Sequence, residues 1–254
     1  MSLSDTYVLV SHGSHDRRPG EEMRRLATLL SAKIPAATIE TAVLECHPQP
    51  LHRQLLEILD RSPHSSGVLY LVPLFLLRGV HVKEDIPEEV DSVRRQLRDT
   101  WSIRVLPHIG DRPEMLSVLR RPMAAVEAIE AWVVVSHGSR RPGGNDAVDR
   151  MAHQLQQRLE MPVSPAYWSV SPDLDAQMSD LLETGVRSIG VFPYFLFSGG
   201  LTDAIADRLQ HWRDRFPEIR LSLASPIGTT PDFVEVVSHL ISTATSAIAS
   251  TSSP

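Results

Sequence analysis

Two histidines that each stand just past an apolar run are the residues of this chain best suited to chemistry. His12 lies in Ser11-His12-Gly13-Ser14, directly after Tyr7–Val10. His81 lies in PLFLLRGVHVKEDIP, after the apolar stretch Val68–Val72. A neutral imidazole nitrogen suits Co(II), Fe(II), Ni(II) and Zn(II). Two imidazoles from separate strand ends would hold such an ion and leave several coordination positions free. A structural site is closed by four protein ligands, so an open one reads as catalytic or as a delivery site. Glu45, at the end of another apolar stretch in AVLECHPQP, is a third candidate, as a hard ligand or a proton acceptor. Each residue alone has a plainer explanation: a histidine bonded to its own turn, or a solvated loop carboxylate. It is the pairing of His12 with His81 that favours a shared function.

Cys46 and His47 adjoin Glu45, but Cys46 matches an apolar residue, Val170, in a second copy of the pattern and is expected to be a packed side chain. His47 matches Ser171 and stays undecided. His15 has no partner histidine in that copy, and His52, His64 and His108 are expected to be solvated on helices or loops.

That second copy comes from an internal repeat. YVLVSHGSHDRRPG at 7–20 recurs as WVVVSHGSRRPGG at 132–144, and LYLVPLFLLRG at 69–79 recurs as IGVFPYFLFSGG at 189–200. LPHIGDRPEML at 106–116 returns weakly as ASPIGTTPDFV at 224–234, and Pro48 pairs with Pro172. Matches in the same order mean duplication. The halves are placed at residues 1–125 and 126–254, with a small polar tail from about residue 246 expected to fray. His12 is kept as His137, Glu45 becomes Ser169 and His81 becomes Leu201. A fold with one working site tolerates such loss, so the first half is expected to carry the chemistry and the second to wall the cleft.

The elements that must position these residues follow from the pattern of apolar runs. Strands are predicted near Tyr7–Val10, Thr38–Leu44, Val68–Val72 and Ile103–Leu106, short and without polar alternation, as for parallel strands buried on both faces. Met23, Leu26, Ala27 and Leu30 share one helical face, as do Ile86, Val90, Val93 and Leu97, with Pro87 in a first turn that tolerates it. Ser14 or Asp16 is placed to cap the helix after His12. The expected fold is α/β: two tandem, similar three-layer α/β/α domains with mainly parallel sheets. In such sheets ligands bind beyond the carboxyl ends of the strands.

Bulk properties exclude several classes. A net charge of −6 gives no basic face for nucleic acid, and no apolar run reaches the length of a membrane span. One cysteine precludes an intrachain disulfide framework, and the first residues lack the pattern of a signal peptide, so the cytoplasm is the expected location.

Taken together, VLVSHGS near the N-terminus, the LE…P segment and VPLFLLRGVHVKEDIP, repeated in degenerate form, resemble the class II sirohydrochlorin chelatases, the CbiX/SirB family. The resemblance covers almost the whole chain and corresponds to the family's two-domain bacterial form. It implies insertion of Co²⁺ or Fe²⁺ into sirohydrochlorin, with release of two protons, in cobalamin or siroheme synthesis. It implies His12 and His81 as metal ligands, His12 also as proton acceptor, and Glu45 beside the metal. It further implies that Leu76, Leu77, Arg78, Gly79, Val80 and His81 wrap the substrate edge near Pro48. The macrocycle is rich in carboxylates, so Ser14, Arg17, Arg78 and Lys83 around the histidine motifs are candidate substrate contacts, with Arg140 and Arg141 in the matching place of the second copy. No prosthetic group is implied, the metal being a substrate, and a duplicated chain is expected to act as a monomer.

Other readings remain at this level. A histidine phosphatase would phosphorylate His12, but such enzymes place an arginine directly before the histidine, where Ser11 stands. A non-enzymatic metal or tetrapyrrole carrier would use the same ligands. A serine hydrolase lacks its G-x-S-x-G turn.

Overall fold

In the computed structural model, which describes residues 5–97 and 100–249, the chain runs twice through one series of strands and helices. The first series is β1 (Thr6–Ser11), α1 (Arg17–Lys33), β2 (Thr38–Val43), α2 (Leu51–Asp60), β3 (Gly67–Pro73), α3 (Ile86–Arg94), β4 (Trp101–Val105) and α4 (Met115–Ala124). The second is β5 (Ala131–Ser136), α5 (Asp146–Leu159), β6 (Val163–Tyr167), α6 (Leu174–Glu183), β7 (Ser188–Pro193), α7 (Gly200–Arg215), β8 (Arg220–Leu223) and α8 (Pro231–Ala249). The strands fall where the apolar runs predict them. Residues 246–249 continue α8 rather than beginning a tail, and residues 250–254 lie outside the described residues.

Each series builds a parallel four-stranded sheet, in the orders β2-β1-β3-β4 and β6-β5-β7-β8. Thr6–Ser11 pairs with Thr38–Val43 on one side, and Thr6–Val10 with Leu69–Pro73 on the other. The chain winds outward from β1 to β2, then returns across β1 to β3. The crevice beyond β1 and β3 is therefore a topological switch point, where side loops diverge and leave room for a ligand.

In the first sheet Val8, Val10, Leu69 and Leu71 pack with Leu51, Leu55 and Ile58 of α2 and with Ile86, Val90 and Val93 of α3. The alternate residues turn to the other face, where Tyr7 and Tyr70 stack with ring centroids 4.8 Å apart. Helix α1 buries Met23, Leu26, Ala27 and Leu30, the face its periodicity predicts, and starts at Asp16. The Asp16 carboxylate accepts from the Arg18 backbone N–H and side chain, bonds that hold its carboxyl below the usual range. In the second sheet Val133, Val135, Ile189 and Val191 pack against Met178 of α6 and Ile205 and Leu209 of α7.

The chain divides into two compact units: one takes the described residues up to Met115 together with those from Thr229 onward, and the other takes Leu116–Gly228. The sequence repeats break near residue 125, but the helix that closes each repeat is grouped with the other repeat's strands. Within the first unit, α8 is fastened to α1 and its surroundings. The Thr229 hydroxyl donates to the Glu22 carboxylate, Lys33 Nζ lies 2.6 Å from Glu235, and His239 Nδ1 lies 3.0 Å from Glu114.

Candidate metal centre

The ends of β1 and β2 and the helical turn that follows the loop after β3 each deliver one polar side chain to the same place. The parallel ladder continues past the strands: Leu44 N–H donates to the Ser11 carbonyl at 2.9 Å, Glu45 N–H to the His12 carbonyl at 2.7 Å, and Leu74 N–H to the Val10 carbonyl at 2.8 Å. These bonds lock the residues that leave the sheet. Gly13 then turns the chain at φ +96°, pressed so closely to the Glu45 carbonyl that a Cβ there would stand 2.0 Å from its oxygen. Only glycine meets both demands.

His12, Glu45 and His81 each offer one ligand atom, all within 4.8 Å of one another. The His12 and His81 rings meet edge to face, centroids 4.7 Å apart and planes at 83°, and Glu45 Oε2 lies 3.6 Å from His12 Nε2. Donors bound about 2.1 Å from one ion stand about 3–4 Å apart, so the set is close to the spacing a shared ion requires. The His12 and Glu45 side chains are 50% and 51% exposed, so a large ligand reaches them without unfolding the site.

The tautomers follow from the neighbours. His12 Nδ1–H donates to the Gly13 carbonyl at 3.1 Å, and His81 Nδ1–H donates to Asp85 Oδ2 at 2.6 Å. Both acceptors lack a proton of their own, so each neutral ring keeps its lone pair on Nε2, available to an ion. The carboxylate of Glu45 beside His12 attracts a cation and repels phosphate, which weighs against phosphoryl transfer through His12.

The sequence reading misplaces His81 locally. It sets the histidine ahead of a helix starting near Pro87, whereas the helix begins at Val80 and His81–Asp85 form a π-helical turn leading into α3. Ile86 N–H reaches back five residues to the His81 carbonyl, and Pro87 has no N–H to give, so the turn widens rather than starting afresh. The helical start brings in Asp85, which sequence reasoning overlooked. A histidine and an aspartate four apart share a helical face, a signal readable only if the helix is begun early enough.

Among the expected substrate contacts, Leu76 and Leu77 are half-buried in the loop after β3, Arg78, Gly79 and Lys83 are exposed, and Val80 is half-buried at the helix start. Pro48 is exposed on the loop after β2. Ser14 is exposed and accepts from the Asp16 N–H, while the exposed Arg17 lies 4.0 Å from Glu21. A Cβ on Gly79 would meet nothing within 4 Å, so the protein's own packing does not demand glycine there.

Three other expectations are corrected. Cys46 is exposed rather than packed, in the loop after β2, where its backbone adopts φ 57°. His52 is not free in solvent: its backbone N–H and Nδ1 both bond Glu89, joining α2 to α3. His108 is buried, donating from Nδ1 to the Phe75 carbonyl at 2.9 Å with Nε2 3.0 Å from Asp111. Gly110 N–H donates to the same carbonyl, so the loop after β4 grips the chain just upstream of His81, and the Phe75 ring lies 5.9 Å from the His81 ring. His47 bonds the backbone of Gln49 in its own turn.

The second sheet repeats the framework and one histidine, His137, without counterparts of Glu45 and His81. Ser169 N–H donates to the His137 carbonyl at 3.0 Å, as Glu45 does to His12, and His137 Nδ1–H donates to Gly138. The Ser169 hydroxyl turns back onto that same His137 carbonyl. Among the described residues, the triad of the first sheet is the one cluster of potential ligands.

A model of the CbiX family matches residues 6–126 and again 131–244. The sirohydrochlorin ferrochelatase of Bacillus subtilis (strain 168) is 26% identical over 238 residues, covering 90% of this chain and 87% of that protein. The sirohydrochlorin cobaltochelatase of Priestia megaterium is 23% identical over 233 residues, 88% of this chain and 74% of that one. The structure of SirB from Bacillus subtilis with Fe³⁺ superposes with a TM-score of 0.79 at 23% identity, covering 95% of each chain.

Proposed function

This chain belongs to the CbiX family, and from that premise we propose that it is a sirohydrochlorin chelatase, inserting Co²⁺ or Fe²⁺ into the macrocycle with loss of two ring protons. The observation that carries the reading is the convergence of His12, Glu45 and His81, from two strand ends and the helical turn after β3, with one ligand atom each inside 4.8 Å. Three ligands, two of them neutral imidazoles, hold a divalent ion without enclosing it. Its remaining positions stay open to water and then to the pyrrole nitrogens.

Insertion exchanges two N–H protons for one M²⁺. As the ion moves to the ring nitrogens, the His12 and Glu45 groups that held it become free to accept those protons. His12 is the more exposed of the two histidines and stands beside Glu45, so this corner is suited to passing protons to solvent. The segment Leu76–Val80, Ser14, Arg17, Pro48 and Lys83 supply the surface for the macrocycle. Arg78 and Lys83 are exposed cations suited to its carboxylates.

All three ligand residues lie in one compact unit, which supports a monomer as the working form. No helix among the described residues is long and apolar enough to cross a membrane, in keeping with a cytoplasmic location. The two metals fit this donor set alike, and supply to the cell is expected to choose between them.

The test mixes purified protein with sirohydrochlorin and either Co²⁺ or Fe²⁺ and follows the change in ring absorbance. The reading requires insertion faster than without protein for at least one metal. Binding of ring and metal with no rate increase would instead identify a carrier.

A further inference from the structure

Asp85 is a carboxylate bonded to the triad to which the metal-holding reading gives no task. Its side chain caps no helical N–H, although it immediately precedes α3. It accepts from His81 Nδ1–H at 2.6 Å, a short, charge-assisted bond made across one turn. His12 has a weaker counterpart: its Nδ1–H meets the carbonyl of the next residue, Gly13, at 3.1 Å.

We infer that Asp85 is a positioning residue that makes His81 the anchoring ligand, leaving His12 as the ligand that lets go. The inference rests on the triad holding the metal. A carboxylate behind a ligating imidazole fixes its tautomer and ring plane and strengthens its donation, whereas a neutral backbone carbonyl does so less. The surroundings agree: the His81 side chain is 31% exposed against 50% for His12, and its ring is in contact with both the His12 and Phe75 rings.

The two repeats differ in backbone at the turn that carries this pair. In α7 the buried apolar positions following Leu201 are Ile205 and Leu209, and in α3 those following His81 are Ile86, Val90 and Val93. Four steps separate Leu201 from Ile205, but five separate His81 from Ile86, while the four-residue spacing from Ile205 to Leu209 equals that from Ile86 to Val90. The first repeat thus holds one extra residue between the histidine and the core, and the π-helical turn His81–Asp85 absorbs it. A single inserted residue of this kind costs regular helical bonding and recurs where function needs it. Here the repeat with the histidine has the widened turn, and the repeat with Leu201 runs as regular α-helix from Gly200.

The experiment titrates Co²⁺ alone into the full-length protein and its His81→Ala, His12→Ala, Asp85→Ala and Asp85→Asn variants, reading cobalt absorption, with circular dichroism to confirm folding. His81→Ala is expected to lose binding, His12→Ala to lose less, and Asp85→Ala to weaken affinity roughly 10- to 100-fold. Asp85→Asn, which retains an oxygen acceptor, recovers part of that loss. Wild-type affinity in Asp85→Ala, with binding lost in His81→Ala, overturns the inference and leaves the metal site standing. So does a larger loss in His12→Ala than in His81→Ala. Wild-type affinity in His81→Ala overturns the site itself. Should Asp85→Ala fail to fold, Asp85→Asn decides: several-fold weakening supports the inference, and unchanged affinity overturns it.

Discussion

Glu45 is tied to His12 twice: its backbone N–H donates to the His12 carbonyl at 2.7 Å, and its carboxylate lies 3.6 Å from His12 Nε2. The first bond sets the spacing of the second, because both residues leave adjacent parallel strands in register. Ser169 and His137 keep the backbone bond and dispense with the carboxylate. The pair of repeats therefore separates what the fold needs from what the chemistry needs.

That separation can be measured. His12→Ala and His81→Ala are each expected to cut metal insertion by roughly 100-fold or more, the scale of removing a proton acceptor or its equivalent. His137→Ala should stay near wild type. Equal losses in all three rates would contradict a single working site in the first repeat.

Gly13→Ala and Gly138→Ala test the turns themselves. Both glycines sit at positive φ, +96° and +82°, with a new Cβ 2.0 Å from the Glu45 carbonyl oxygen in one and 2.8 Å from Tyr167 Cβ in the other. Each variant should lose ~1–3 kcal/mol from backbone strain, seen in urea unfolding. Co²⁺ binding should fall in Gly13→Ala, whose turn displaces Glu45, and survive in Gly138→Ala.

Gly79 is the contrasting case, since nothing stands within 4 Å of its missing Cβ. Gly79→Leu should leave the melting temperature almost unchanged and raise the KM for sirohydrochlorin, if the macrocycle lies against this segment. Arg78→Ala should raise that KM too, more at low salt than at high salt, with Co²⁺ affinity unaffected. Unchanged KM in both variants would remove this loop from the substrate surface.

Glu130 links stability to pH. Its carboxylate accepts the backbone N–H groups of Arg187 at 2.6 Å and Ser188 at 3.0 Å, bonds that hold its carboxyl below the ordinary value of 4.5. A depressed folded-state value adds stability above the unfolded value and loses it as pH falls through the folded one. Glu130→Gln should therefore unfold at lower urea than wild type at pH 7, and the gap should narrow below pH 4.5. A gap that is constant from pH 7 to pH 4 would exclude this linkage.

The fold was legible in the sequence where burial dictates composition. Strands covered on both faces have to be apolar, so Tyr7–Val10 and Val68–Val72 announce themselves, and duplication doubles the signal. The triad was legible because strand order brings the ends of β1, β2 and β3 together. Asp85 was not, since Pro87 reads as the start of a helix and periodicity cannot reveal a turn carrying one extra residue. Nor was the burial of His108, whose partner is a backbone carbonyl at Phe75 and leaves no mark on composition. Nor was the exposure of Cys46, which sits at a left-handed backbone angle in the loop after β2 that its neighbours in sequence do not disclose.

Helix α8, grouped with the first strands although it ends the second repeat, bears on how the molecule can be cut down. Stopping the chain at residue 125 would keep a helix that belongs elsewhere and discard the one whose Glu235 and His239 grip Lys33 and Glu114. The smallest excised protein that retains the metal ligands is better made by deleting residues 116–228 and splicing the remainder with a short linker.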